Sequence, residues 1–223
     1  MQERVATGSE ILDELLEGGY EKDAITTIYG PAGAGKTTMA LLAAIETAKR
    51  GKKTIFVDTE GGFSITRLKQ LTENYKKAFN SIIFLNPTTF EQQHNSIDKL
   101  RKLVNSKIGL VVIDTISMLY RLERSVGDES SHEFNRKLGV EIEALTEIAR
   151  KKKIPVVVTN QVYTNFENNK ISVVGGDIIK YGSKCLVELQ QLHRNKRRII
   201  IRKHRSIAGE KEAYFEIVRE GFV

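Results

Sequence analysis

The chain has 223 residues, 40% of them hydrophobic, enough for one sizeable core, and no apolar run long enough to span a bilayer. Its single cysteine, Cys185, excludes an intramolecular disulfide framework, and Met1-Gln2-Glu3-Arg4-Val5 offers no apolar signal region, so a cytoplasmic protein is expected. The net charge of +7 is local: Arg194, Lys196, Arg197, Arg198, Arg202, Lys203 and Arg205 contribute seven cations with no acid among them, and the other 28 Lys and Arg balance 28 Asp and Glu. That run reads as a polyanion contact, with a solvated hairpin tip as the alternative.

Residues 24–29 form the first strand-like run, and Gly30-Pro31-Ala32-Gly33-Ala34-Gly35-Lys36-Thr37-Thr38 follows it directly. The spacing fits G-x-x-x-x-G-K-[ST], a phosphate-binding loop. Its glycines let successive N–H groups turn toward phosphates, and the helix expected after Lys36 adds its positive end. Lys36 would reach the β- and γ-phosphates of ATP, and the Thr37 hydroxyl would ligate Mg2+.

A second strand is expected at 54–58, and Asp58-Thr59-Glu60-Gly61-Gly62 places two carboxylates at its end, beside the loop strand. Glu60 would orient or deprotonate the attacking water; capping the next helix is the alternative. A helix from about Thr66, a strand at 81–85 and a helix at 90–104 come next. Residues 110–114 are an apolar strand ending in Asp114, a carboxylate suited to Mg2+, although many strands end in Asp as a turn residue. Residues 121–131 lack clear periodicity. From about His132 to Lys152 a helix is expected, because Phe134, Leu138, Ile142, Leu145 and Ala149 recur at three- and four-residue steps. The strand at 155–159 leads into Asn160-Gln161, where Gln161 would touch a γ-phosphate or merely start a turn. Residues 163–176 again lack periodicity, and 183–192, 197–203 and 213–218 read as strands with short connections. Continuous apolar strands covered on both faces mark a parallel sheet, and short connections force antiparallel pairing. The expected fold is therefore one α/β domain, a mainly parallel sheet flanked by helices and finished by antiparallel strands.

Phosphate loop, Glu60, Asp114 and Gln161, in this order, resemble the RecA-like recombinase family. The similarity begins with Ala6-Thr7-Gly8-Ser9-Glu10-Ile11-Leu12-Asp13 and continues through Asp58-Thr59-Glu60-Gly61, Thr159-Asn160-Gln161-Val162 and Gly175-Gly176-Asp177 to Ala213-Tyr214-Phe215. Within the family the chain is most similar to a short archaeal paralogue of the RadA recombinase. The resemblance implies a single RecA-like ATPase domain over 1–223, without the helical DNA-binding domain or the polymerisation linker of full recombinases. That bears on filament formation and strand exchange, not on nucleotide binding. It also implies that Glu60 activates water, that Gln161 couples γ-phosphate to a DNA loop, and that Arg67 packs on adenine. Lys203 and Arg205 would act in trans on a neighbour's nucleotide.

The family places DNA on the two irregular loops, which makes Arg121, Arg124 and Lys170 candidate contacts, with Tyr163 and Phe166 as stacking groups or local packing. Arg194, Lys196, Arg197 and Arg198 form the stronger phosphate-binding candidate. The expected function is an ATP- and DNA-binding accessory of homologous recombination and repair. It would be a weak Mg2+-dependent ATPase whose partners are single-stranded DNA, a RadA-type recombinase, other repair proteins or a second copy in a homodimer. An ATP-switched binding module without turnover and a small-molecule kinase are the alternatives.

Overall fold

The computed structural model describes residues 3–126, 131–165, 170–193 and 195–223. An antiparallel ribbon of Arg4–Val5 (β1) and Tyr20–Glu21 (β2) encloses Glu10–Leu15 (α1), whose first turn is capped by the Ser9 hydroxyl accepting from Leu12 N. The chain then alternates: Ile25–Tyr29 (β3), Lys36–Lys49 (α2), Lys53–Asp58 (β4), Ile65–Leu71 (α3), Tyr75–Asn80 (α4), Ile82–Leu85 (β5), Phe90–Leu103 (α5) and Ile108–Asp114 (β6). Met118–Val126 (α6), Ser131–Lys152 (α7), Val156–Asn160 (β7), Val162–Asn165 (β8), Lys170–Val173 (β9) and Gly176–Gly182 (α8) lead to the final strands. Those are Cys185–Gln191 (β10), Lys196–His204 (β11), Lys211–Val218 (β12) and Gly221–Phe222 (β13).

Nine strands make one sheet in the order β13-β12-β11-β10-β3-β7-β6-β4-β5. Every pair from β10 to β5 is parallel, and β10-β11, β11-β12 and β12-β13 are antiparallel. The side-chain period of two splits the central strands between two cores. Val111, Ile113, Val156 and Val158 face the core built with Phe90, Ile97 and Leu100 of α5 and Phe134, Leu138, Ile142 and Leu145 of α7. Leu110, Val112 and Val157 face the other, against Met39, Ala40 and Leu41 of α2. Cys185 lies in that second core, where burial pushes its thiol up to about 12, so it stays protonated and inert. Among the described residues no helix is long and apolar enough to cross a membrane.

The structure corrects the sequence reading in three places. The strand ending at Asp58 is not beside the loop strand, because β7 and β6 stand between β4 and β3. Most of 121–131 is not irregular: α6 extends to Val126, with Leu119 and Tyr120 buried against Phe90 and Phe134. The stretch after Gln161 contains an antiparallel hairpin, Val162–Asn165 against Lys170–Val173, whose short strands carry too few apolar residues for an alternating signal.

Gly30, first residue of the phosphate loop, lies where β3 presses on β10: a Cβ there would sit 2.3 Å from the Leu189 carbonyl oxygen. That neighbour is backbone and cannot swing away. Gly30→Ala is therefore expected to destabilise the fold by about 1–3 kcal/mol, as overpacking does. Urea denaturation checks this; an unchanged midpoint would show that the two strands can part.

Candidate nucleotide-binding site

All parallel strands end at one sheet edge, as the register shows: Tyr29 lies opposite Asn160 and Glu188, and Asp58 opposite Asp114. Polar side chains that follow these apolar strands are thereby gathered without being near in sequence. From Tyr29 the chain turns through the loop into α2, whose N-cap, Gly35, has φ 107° and offers no side chain to the helix N–H groups. Those donors and the helix dipole face an anion position.

Lys36 is 8% exposed, and its Nζ donates to the carbonyls of Gly30 and Pro31, both at 2.8 Å. Burial holds its ammonium below the usual lysine range, while the charges of Glu60 and Asp114 pull it back up. Asp114 is 2% exposed; the hydroxyls of Thr159 and Thr37 bond to its carboxylate. Burial raises its pKa, with Glu60 and Asp58 adding to the rise, against those two hydrogen bonds. A buried carboxylate facing a hydroxyl across the loop is a hard-oxygen pair whose burial the neighbouring Lys36 does not fully offset. That fits Mg2+, which takes one or two protein oxygens and completes its shell with water and phosphate.

Glu60 reaches the site from beyond β4. Its Oε1 accepts from Thr115 Oγ1 at 2.9 Å and from Gln161 Nε2 at 2.6 Å, so three strand ends meet on one carboxylate oxygen. Thr59 and Thr115 lock the ends of β4 and β6, the Thr59 hydroxyl donating to the Thr115 carbonyl at 2.6 Å and accepting from the Thr115 N–H at 2.8 Å. Asp58 is turned away, accepting from the N–H groups of Gly62 and Phe63 at 3.0 Å each, which makes it the loop's structural carboxylate.

Arg67 of α3 donates to the carbonyls of Val218 at 3.1 Å and Arg219 at 3.0 Å, in the turn between β12 and β13. Flanking that turn, Ile217 and Phe222 approach the loop so closely that a Cβ on Gly35 would lie 3.0 and 3.2 Å from them. Sequence reasoning missed these two apolar residues, and also Gln191, whose Nε2 donates to the Ala32 carbonyl at 2.9 Å. Arg197, one of the DNA candidates, also lies on the loop, reaching the Gly33 carbonyl at 3.3 Å. Only its pairing opposite Gln191 on β10 brings it there, a long-range contact with no local signal.

The other basic candidates are dispersed. Arg198 pairs with Glu212, Arg202 with Glu188 and Glu210, and Arg205 with Glu21 and Asp23. Lys203 Nζ donates to the carbonyls of Lys180 and Ser183 at the end of α8. Both Lys203 and Arg205 belong to the sheet edge opposite the loop, because His204 lies opposite Cys185 and Gln191 opposite Arg197. Lys196 is exposed opposite Glu216, and Arg121 is exposed on α6 beside Tyr163 and Asn135, lining a cleft closed by Gly175 and Asp177. Arg194, Phe166 and the side chains of Arg124 and Lys170 lie outside the described residues.

Residues 2–223 match the Rad51 family model. The chain is similar to the DNA repair and recombination protein RadB of Methanobrevibacter smithii, 38% identical over 99% of this chain and 95% of that one. It is similar too to the protein of the same name from Methanococcoides burtonii, 37% identical over 99% and 98% of the two chains. A crystal structure of the RadB recombinase superposes with a TM-score of 0.83 at 35% identity, covering 98% of each chain.

Two substitutions separate binding from chemistry. Lys36→Ala should weaken ATP binding by about 1.5–3 kcal/mol, roughly ten- to 150-fold, because a charge-assisted bond to the phosphates is lost. Titration with a fluorescent ATP analogue measures it, and unchanged affinity would mean the loop does not hold phosphate. Glu60→Gln should leave ATP affinity intact and lower turnover about 10²-fold or more. Single-turnover hydrolysis equal to that of the parent would reduce Glu60 to a structural link.

Proposed function

The chain belongs to the Rad51 family, and from that premise we propose that it is an ATP- and DNA-binding accessory protein of recombination and repair, a weak Mg2+-dependent ATPase that assists a RadA-type recombinase. The observation that carries this reading is the shared hydrogen bonding of Glu60 with Gln161 and Thr115, at an edge already holding Lys36, Thr37 and Asp114.

The N–H groups of the Gly30–Gly35 loop and of the first turn of α2 receive the triphosphate. Lys36 trades its loop carbonyls for β- and γ-oxygens, while the wall of Ile217 and Phe222 closes the loop's outer side. Thr37 and Asp114 would hold Mg2+, which neutralises charge on the β- and γ-oxygens when bound. Glu60 orients the attacking water and takes its proton. Its Oε1 is occupied by Gln161 and Thr115, so a Gln161 that turns toward γ-phosphate both frees the carboxylate and moves the start of the β8-β9 hairpin. This gives nucleotide state a path to a surface where Arg121 and Tyr163 could meet DNA.

Lys203 and Arg205 stand about 20 Å from the chain's own loop, the length of the six steps along the seven residues from Cys185 to Gln191. Any action on ATP is therefore on a neighbour's, and requires them to leave their present carbonyl and carboxylate partners. Specific ATPase activity should then rise with protein concentration, and again on adding single-stranded DNA and a RadA-type recombinase. Mixing Lys36→Ala chains with Lys203→Ala/Arg205→Ala chains should recover part of the activity. Hydrolysis independent of concentration, with no recovery on mixing, would confine both cations to their intrachain bonds.

A further inference from the structure

At the sheet edge opposite the nucleotide loop a cleft of about 480 Å³ is lined by Lys22, Arg50, Lys52, Lys151, Lys152 and Lys153, with no acidic and no aromatic residue among its described lining residues. The cations come from places far apart in sequence. Lys49-Arg50-Gly51-Lys52-Lys53 joins the end of α2 to β4, and Arg150-Lys151-Lys152-Lys153 ends α7 just before β7. Both helices run back against parallel strands, so both end at the edge where those strands begin.

Basic residues that merely answer helix dipoles are the ordinary explanation. Two helix ends carry about one negative charge together. The two runs supply eight cations, more than that charge and the nearby carboxylates require. Glu46 engages Lys49 and Arg50, Glu147 engages Lys151, Glu3 engages Lys22, and the charge of Asp23 is felt near Lys153. Lys52 Nζ donates to the Ser106 carbonyl at 2.7 Å. The side chains of Lys152 and Lys153 are exposed and form no salt bridge or hydrogen bond among the described residues. Of the cleft's six cations, Lys22, Arg50 and Lys151 are thus paired with carboxylates, and Lys152 and Lys153 are left to face solvent.

We propose that this cleft is a second polyanion site, which takes the sugar–phosphate backbone of a nucleic acid without reading its sequence. The proposal rests on the DNA-binding reading above and places that binding on a surface away from the hairpin and α6. A single phosphate would occupy one or two cations; six around one concavity suit a polymer whose charges repeat. With no aromatic lining there is nothing for bases to stack on, so duplex backbone is held as readily as a single strand. The nucleotide loop lies the length of β7 away, about 16 Å, so both sites can be filled at once.

The test compares the parent chain with Lys151→Gln/Lys152→Gln/Lys153→Asn, asparagine being chosen because Lys153 has φ 54°. Anisotropy titrations of a labelled 30-base-pair duplex over a range of KCl give the affinity and its salt slope. The variant should bind about tenfold or more weakly at low salt, with a slope shallower by roughly 2–3, near 0.9 for each phosphate that is no longer neutralised. Its ATP affinity should be unchanged. Equal slopes and affinities for both proteins overturn the cleft and leave DNA binding elsewhere intact. A parent that fails to bind duplex or single strand at low salt rejects the DNA-binding reading, and this site with it. To keep the test independent of the variant's stability, a second measurement uses the parent alone: lysine acetylation mapped by mass spectrometry, with and without saturating duplex. Protection of Lys152 and Lys153 supports the site, and full modification of both under saturation overturns it.

Discussion

Asp114 carries a carboxylate into the middle of the sheet edge, where it is 2% exposed, and the site is organised around making that tolerable. A buried carboxylate needs hydrogen bonds or a counter-charge. Thr159 and Thr37 provide the bonds, and the Lys36 ammonium, itself buried, provides a nearby opposite charge. Each group comes from a different segment, so the carboxylate ties β6, β7 and the start of α2 into one unit. A dication placed between Thr37 and Asp114 would offset the same cost of burying negative charge.

The second carboxylate behaves differently. Glu60 is exposed, and its hydrogen bonds come from two neutral donors, Thr115 and Gln161, with the Lys36 charge also acting on it. Hydrogen bonds to a carboxylate contribute about 1.5–3 kcal/mol, but at a solvent-exposed edge water competes for them and they are readily exchanged. The Asp114 cluster is thus suited to permanence and the Glu60 cluster to change. Gln161 belongs to both the edge and the hairpin, and passes one on to the other. On the far side of the loop the antiparallel strands are not an appendage: Gln191 and Arg197 hold the carbonyls of Ala32 and Gly33, and Ile217 and Phe222 press on Gly35.

Charge obeys the same logic of strand order. Antiparallel pairing sets β11, with its seven-cation neighbourhood, beside β10 and β12, which carry Glu188, Glu210 and Glu212 on and near them, and Arg198 and Arg202 are paired there. Parallel topology gathers charge at the other edge, where two helix ends deliver two basic runs to one cleft. Local charge density along the chain is therefore a poor guide to surface potential in a fold with this many long-range strand pairs.

The sequence by itself determined the strands that end in Tyr29, Asp58 and Asp114, the strand at 155–159 that leads into Asn160, the stripe on α7, the antiparallel finish, and the phosphate loop with its lysine and threonine. These rest on period, turn chemistry and spacing, which act over a few residues. It was also enough to identify Glu60, Asp114 and Gln161 as residues that follow apolar strands. Only the tertiary structure decided that β6 and β7 separate β4 from β3, and hence that Glu60 is bridged by Thr115 and Gln161 rather than standing beside the loop. It alone put Arg197 on the Gly33 carbonyl, paired Arg205 with Glu21, and joined residues 49–53 to residues 150–153. The reason is physical: hydrophobic period tells a strand which faces it buries but not which neighbour it will pair with, and that choice determines every contact between distant charges.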